Sequence, residues 1–148
     1  MRTFRGETAL KIDAKGRVSI PSNFRKVLDA CHPDRATGED PALIIVYGDG
    51  SKPYLEGFSV EAMAAKEAKI QALPSGPLKK KATKYYQTQT WETTVDSSGR
   101  IVLPKDLREK LRIDGGGDVY FAGTGETFQI WNGAEYETED TDIQLSDI

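Results

Sequence analysis

Cysteine, histidine and long apolar runs are nearly missing from this chain of 148 residues. Cys31 is the single cysteine and His32 the single histidine. One cysteine excludes an intrachain disulfide and fits a reducing interior. Two adjacent residues cannot close a metal site, so no metal is expected. They also leave no Ser-His-Asp or Cys-His constellation for nucleophilic catalysis. No apolar run approaches the ~20 residues that span a bilayer, and MRTFRGETALK lacks the apolar centre of a signal peptide. A cytoplasmic protein without membrane contact is expected.

An excess of positive charge is also absent overall, with 20 Lys and Arg against 23 Asp and Glu. A net charge of −3 at first argues against a nucleic-acid partner. The distribution reverses that judgement. Residues 135–148 hold six acids and no base, whereas residues 1–28 carry seven bases against Glu7 and Asp13. Residues 79–112 carry nine bases against four acids. The acidic end reads as a loose tail that limits nonspecific attachment.

What the chain does contain is one stretch written twice. Residues 11–28, KIDAKGRVSIPSNFRKVL, align without a gap to residues 94–111, TVDSSGRIVLPKDLREKL. Six positions are identical: Asp13/Asp96, Gly16/Gly99, Arg17/Arg100, Pro21/Pro104, Arg25/Arg108 and Leu28/Leu111. Chance identity is on the order of one position in twenty, so this is an internal repeat.

Each copy reads as strand, tight turn, strand and short helix. Asp13 and Asp96 open a turn by accepting backbone N–H groups, and Gly16 and Gly99 supply its left-handed residue. Folding alone explains these four. Alternation then sends Val18, Ile20, Ile101 and Leu103 inward, and Lys11, Arg17, Ser19 and Arg100 outward. Val102 leaves the outer face of the second copy less polar. The prolines stop the strand and open a helix whose buried stripe is Phe24, Val27 and Leu28, or Leu107 and Leu111. Arg25 and Arg108 fall on the wet side. Arg17 has two readings: an ion pair with Asp13 or Asp96 that stiffens the hairpin, or contact with phosphates and base edges.

The remaining elements extend the repeat. Phe4 seals the core edge and Arg5 adds to the basic surface. Residues 42–47 and 53–58 form a hairpin, matched in the second half by 118–123 and 127–131. The Gly48-Asp49-Gly50 turn is not a phosphate loop, because no helix starting with Lys-Ser/Thr follows it. Ser59 caps a helix to about Leu73, and residues 78–89 continue as helix with Leu78, Ala82, Tyr85, Tyr86 and Gln89 on one side. Lys79 to Lys81 and Lys84 read most simply as a solvated face, with contact to a backbone phosphate as the alternative. Trp131 belongs to the core.

FRG at 4–6, DAKGRVSIP followed by FR, DSSGR-I-LP followed by LRE, and the late FQIW closely resemble the MraZ family of bacterial regulators. The family's mark, Asp-x-x-x-Arg in each half, is met by Asp13/Arg17 and Asp96/Arg100, and the likeness covers about Phe4 to Trp131. The segment YYQTQTWET departs from the Phe/Ala-rich helix end of that family. The resemblance implies an α+β, mostly β fold: two AbrB-like swapped-hairpin halves forming a pseudo-dimeric small barrel with bridging helices. The divisions are 1–58 for the first repeat, 59–90 for the bridge, 91–134 for the second repeat and 135–148 for the tail.

It also implies a ring-shaped homo-oligomer, associated with the nucleoid in the cytoplasm, that binds repeated boxes in double-stranded promoter DNA. The regulated genes would be the division and cell-wall cluster, and the effect repression. Carried over by position, Lys15 and Arg17 with their counterparts Ser98 and Arg100 are the DNA-facing residues, joined by Arg5. Ser98 breaks the basic character of the second half, so unequal contributions are expected. No cofactor or small-molecule substrate is implied.

Two other classes stand beside this one. Two repeats each giving one Asp resemble the paired carboxylates of aspartic proteases, but the glycine comes one residue late and the arginine behind it favours both groups ionised. The other is an AbrB-type antitoxin or a ring-forming assembly protein whose hairpins touch only protein.

Overall fold

Neither copy of the signature completes a sheet by itself. The computed structural model describes residues 2–138 and 144–148. Strand β1 (Glu7–Ile12) leads into the first turn and β2 (Arg17–Ser19) leaves it, followed by α1 (Ser22–Ala30). The hairpin β3 (Ala42–Val46) and β4 (Tyr54–Phe58) comes next, then α2 (Val60–Gln71) and α3 (Pro77–Thr83). The second half repeats the order with β5 (Thr90–Thr94), β6 (Arg100–Val102), α4 (Lys105–Lys110), β7 (Gly117–Gly123), β8 (Thr127–Asn132) and α5 (Gly133–Thr138).

The strand–turn–strand of each copy is present, yet its two strands do not form a ladder with each other. β1 pairs with β7 of the other half, and β5 pairs with β3. β2 and β6 pair with each other as a separate two-stranded ribbon. The large sheet therefore runs β1-β7-β8-β4-β3-β5. Read by position within the repeat, with β5, β7 and β8 equivalent to β1, β3 and β4, that order is a palindrome about the central β4–β8 pair, which is the swapped arrangement expected. Period-two alternation specifies which face a strand buries and leaves its partner open, so the exchange is invisible to it.

One core joins both halves. Val18, Ile20, Phe24 and Leu28 meet Ile101, Leu103, Leu107 and Leu111 beneath the sheet residues Leu43, Ile45, Leu55, Val119, Phe121, Phe128 and Ile130. Phe4 enters edge-on to Phe24 and Phe128, with ring centroids 5.3 and 5.0 Å away. Its backbone bridges Gly125, so the FRG start is pinned into the core as anticipated. Pro21 and Pro104 end the ribbon strands, and their carbonyls accept the first helical N–H bonds, from Phe24 (2.9 Å) and Leu107 (3.1 Å).

The opposite face of the sheet is covered twice, by related means. After β4, Ser59 accepts the Ala62 N–H at 3.0 Å and starts α2, which lays Met63 on Ile44, Val46 and Phe58. After β8, Asn132 accepts the Ala134 N–H at 2.9 Å and starts α5. There Tyr136 stacks on Tyr120 and meets Trp131, which lies buried against Tyr54. The start of the acidic tail is thus a docked helix, held also by the Arg112–Glu135 ion pair and a Tyr136–Glu7 hydrogen bond. Its aromatic side chain overrides what the acidic composition implies. Residues 139–143 of that tail lie outside the described residues.

The helix expected over 78–89 also differs. Leu78 is 67% exposed on α3, and Lys84–Thr88 forms a π-helical turn closed by the Gln89 N–H to the Lys84 carbonyl. The wider turn rotates Tyr85 over Gly48 and Tyr86 edge-on to Phe58. An ideal helix from Leu78 would put a different stripe against the sheet.

Candidate nucleic-acid interface

The site begins with two matched turns. The Asp13 carbonyl accepts the Gly16 N–H at 3.0 Å, and its Oδ1 accepts the Lys15 and Arg17 N–H groups at 3.0 and 2.9 Å. Asp96 does the same for Gly99 (2.9 Å), Ser98 (2.9 Å) and Arg100 (3.0 Å). Gly16 and Gly99 have φ of +93° and +79°, where a side chain is strained. Each turn is then tied to the other half. Leu103 donates to the Gly16 carbonyl and Ile20 to the Gly99 carbonyl, both at 2.8 Å. The two tips are therefore fixed relative to each other by backbone bonds.

The ribbon between them has a dry side and a wet side. Val18 and Ile101 pair in register and point into the core. On the outer side Arg17 stands opposite Val102, and Ser19 opposite Arg100; all four are exposed. The arginines thus occupy diagonal corners of a small square. Lys15 and Ser98 are exposed in the turns beside it. Arg5 is exposed at the far end of β1 from the Asp13 turn, where its carbonyl accepts from Asn23 at the start of α1. It lines a shallow groove with Arg2 and Lys26, so the structure does not gather it with the ribbon residues.

The two readings of Arg17 coexist. Its Nε donates to Asp13 Oδ2 at 2.6 Å while the side chain stays 52% exposed. A guanidinium engaged through Nε keeps both Nη atoms for a ligand. No such pair joins Arg100 to Asp96 among the described residues, where Asp96 accepts only backbone N–H groups.

The Arg17 N–H, and after it the Arg17 guanidinium, hold the Asp13 carboxyl below its usual value of 3.8. With the folded value depressed, the turn's stabilisation is complete above the unfolded value and is lost as pH falls through the folded one. The Lys15 and Arg17 amide resonances should accordingly stay in place down to about pH 4 and shift together below it. In Asp13→Asn that transition disappears. A midpoint at or above 3.8 in the parent would contradict the assignment.

Arg25 and Arg108 are not on the wet side. Arg108 is only 8% exposed. Its Nη1 donates to the Leu103 carbonyl at 2.5 Å and to the Lys15 carbonyl of the other half at 3.3 Å, and its Nη2 lies 3.7 Å from Asp114. Arg25 is half-buried, its guanidinium packed where a Cβ on Gly99 would sit, as that of Arg108 is packed at Gly16. The Nε of each is buried without a hydrogen-bond partner. Each helix arginine therefore crosses to brace the turn of the opposite half. Helical periodicity shows that this side of α1 and α4 is not apolar, but not that a turn from the other repeat covers it. The available signal was their place among the six shared identities.

The Cys31–His32 pair has a structural role: His32 Nδ1 accepts the Ala42 N–H at 3.1 Å and Cys31 is buried. Among the described residues no three His, Cys, Asp or Glu side chains gather where a metal could bind, and no helix is long and apolar enough to cross a membrane.

Comparison with known proteins agrees with this geometry. Residues 3–75 match the family model of the MraZ protein, described as antitoxin-like, and residues 92–125 match that of the antidote-toxin recognition protein MazE, a bacterial antitoxin. The chain is 45% identical over 140 residues to a protein of Ruegeria pomeroyi named transcriptional regulator MraZ, covering 94% of this chain and 83% of that one. A protein of the same name from Ruegeria sp. TM1040 is 47% identical over 137 residues, covering 92% and 81%. One from Cereibacter sphaeroides ATCC 17029 is 40% identical over 142 residues, covering 92% and 83%. Twin Asp-x-x-x-Arg turns locked across a shared core, in a chain this similar to such relatives over nearly its whole length, place it in the MraZ family.

Proposed function

We propose that the chain is a sequence-specific DNA-binding transcriptional regulator, acting by binding without catalysis. The observation that carries this is the outer face of the β2–β6 ribbon, where Arg17 and Arg100 stand exposed at diagonal corners. A two-stranded ribbon fits the B-DNA major groove, and an arginine there donates in bidentate fashion to guanine O6 and N7. Relatives named transcriptional regulators support the same role.

The finer reading is that residues 1–58 and 91–134 are the two repeats, bridged by 59–90 and trailed by 135–148. Several copies act together as a homo-oligomer on the nucleoid, repressing the division and cell-wall cluster from repeated promoter boxes. One ribbon offers few contacts, and nonspecific affinity at cellular salt is only ~10⁻⁴ to 10⁻⁶ M. Several ribbons facing regularly spaced boxes raise the effective concentration instead.

The test is a footprint on the DNA upstream of the chain's own gene across a salt series, with a mass measurement of the free protein. Protected boxes at regular spacing and an affinity that falls linearly on a log–log plot against salt are expected. Absence of protection at every salt concentration overturns the proposal. The match of residues 92–125 to the MazE model favours a second reading, an antitoxin, which a stoichiometric complex with the product of an adjacent gene would establish.

A further inference from the structure

The four side chains on the outer face of the ribbon are not equivalent between the halves. Under the repeat, Arg17 corresponds to Arg100 and Ser19 to Val102. In the folded ribbon Arg17 therefore faces valine while Arg100 faces serine. Val102 is 56% exposed, with Arg17 across from it and Arg100 two residues before it on the same strand. Among the described residues the other large apolar side chains exposed to this degree are Leu78 on α3 and Leu145 and Ile148 near the C-terminus, none of them on the ribbon, so Val102 stands apart from them. Nor does the fold require it, because Ser19 fills the matching place on β2 and is likewise exposed.

We propose that Val102 is a specificity-determining residue that reads the C5-methyl group of a thymine, making one half of each DNA box thymine-dependent and leaving the other half permissive. The proposal rests on the DNA-binding function above and adds what one corner of the ribbon recognises. Directly opposed residues on one face of a ribbon have Cβ atoms about 5 Å apart, and successive base pairs are stacked ~3.4 Å apart. With the Arg17 guanidinium on a guanine, the Val102 methyls lie over a neighbouring base pair. Valine has no donor or acceptor, and the apolar group that the major groove presents is the thymine methyl. Serine, as a hydroxyl that bonds to donors and acceptors alike, accepts several bases at the equivalent point. The exchange of Lys15 for Ser98 at the turns adds to the same inequality between the halves.

The experiment uses the full chain and a duplex that the protein itself selects from a randomised pool. That duplex is resynthesised with each thymine replaced in turn by uracil, which removes the methyl and keeps the pairing, and binding is followed by fluorescence anisotropy at one fixed salt concentration. In the parent, one thymine beside the guanine read by Arg17 should be sensitive, its replacement weakening binding roughly three- to fivefold. Val102→Ser should bind the thymine and uracil duplexes equally, and Ser19→Val should create a second sensitive thymine in the other half-box. A flat uracil scan with the parent, or a sensitivity that survives in Val102→Ser, overturns the inference and leaves the DNA-binding function standing. Failure to retain any duplex at low salt overturns that function and the inference with it.

Discussion

Arg17→Ala should weaken binding to a selected operator duplex by roughly ten- to a hundredfold, the value of one good bidentate contact to guanine. Its urea midpoint should stay close to that of the parent, because the side chain is half exposed on the wet side of the ribbon. Arg100→Ala should cost less. Asp13 holds the Arg17 Nε in the free protein, so the guanidinium is oriented before DNA arrives and little freedom is lost on binding. Arg100 has no carboxylate partner of that kind within its own turn and must be ordered by the DNA itself. Anisotropy titrations of the two single variants and the double variant, at equal salt, measure the difference. Equal affinities for Arg17→Ala and the parent would remove the ribbon from the interface.

Arg108→Ala should instead destabilise the whole protein, by about 2–4 kcal/mol in urea unfolding. Truncation leaves the buried Leu103 carbonyl without the guanidinium that bonds it and opens space under the Lys15–Gly16 turn. The Gly16 amide, bonded to Asp13 within that turn, should exchange with solvent faster. Specific DNA binding should fall as well, without a change in salt slope, since Arg108 is buried and neutralises no phosphate. Arg108→Lys should recover part of the stability but not the two-carbonyl clamp. Unchanged stability in Arg108→Ala would show that the cross-brace is ornamental to the fold.

The contrast between these two arginine pairs shows how far the sequence can be read. Arg17 and Arg100 were placed on the outer face by strand alternation, and that face is where they stand. The Asp–Gly turns and the β3–β4 and β7–β8 hairpins follow equally from local chemistry. Phe4 is legible from its place just before the first strand, where it seals the core edge. Arg25 and Arg108 escape that reading because what covers them is remote in the chain, the Gly99 turn for Arg25 and, 93 residues away, the Lys15–Gly16 turn for Arg108. The strand exchange was missing from pattern alone for the same reason, and came only with the family resemblance. Composition misled at α5, where acidic residues conceal the Tyr136–Tyr120 stack. The π-helical turn at Lys84–Thr88 leaves no periodic trace, because one inserted residue changes phase without changing polarity.

The palindromic strand order bears on how such a chain is inherited. Because β1 completes the sheet of the later half and β5 that of the earlier one, cutting between the repeats leaves two fragments that each lack an outer strand and one wall of the common core. What reads as a tandem duplication is thus physically a fused homodimer whose parts have lost independence. Its two surfaces remain free to diverge, Ser19 from Val102 and Lys15 from Ser98, because the covalent tether guarantees that unlike halves always meet.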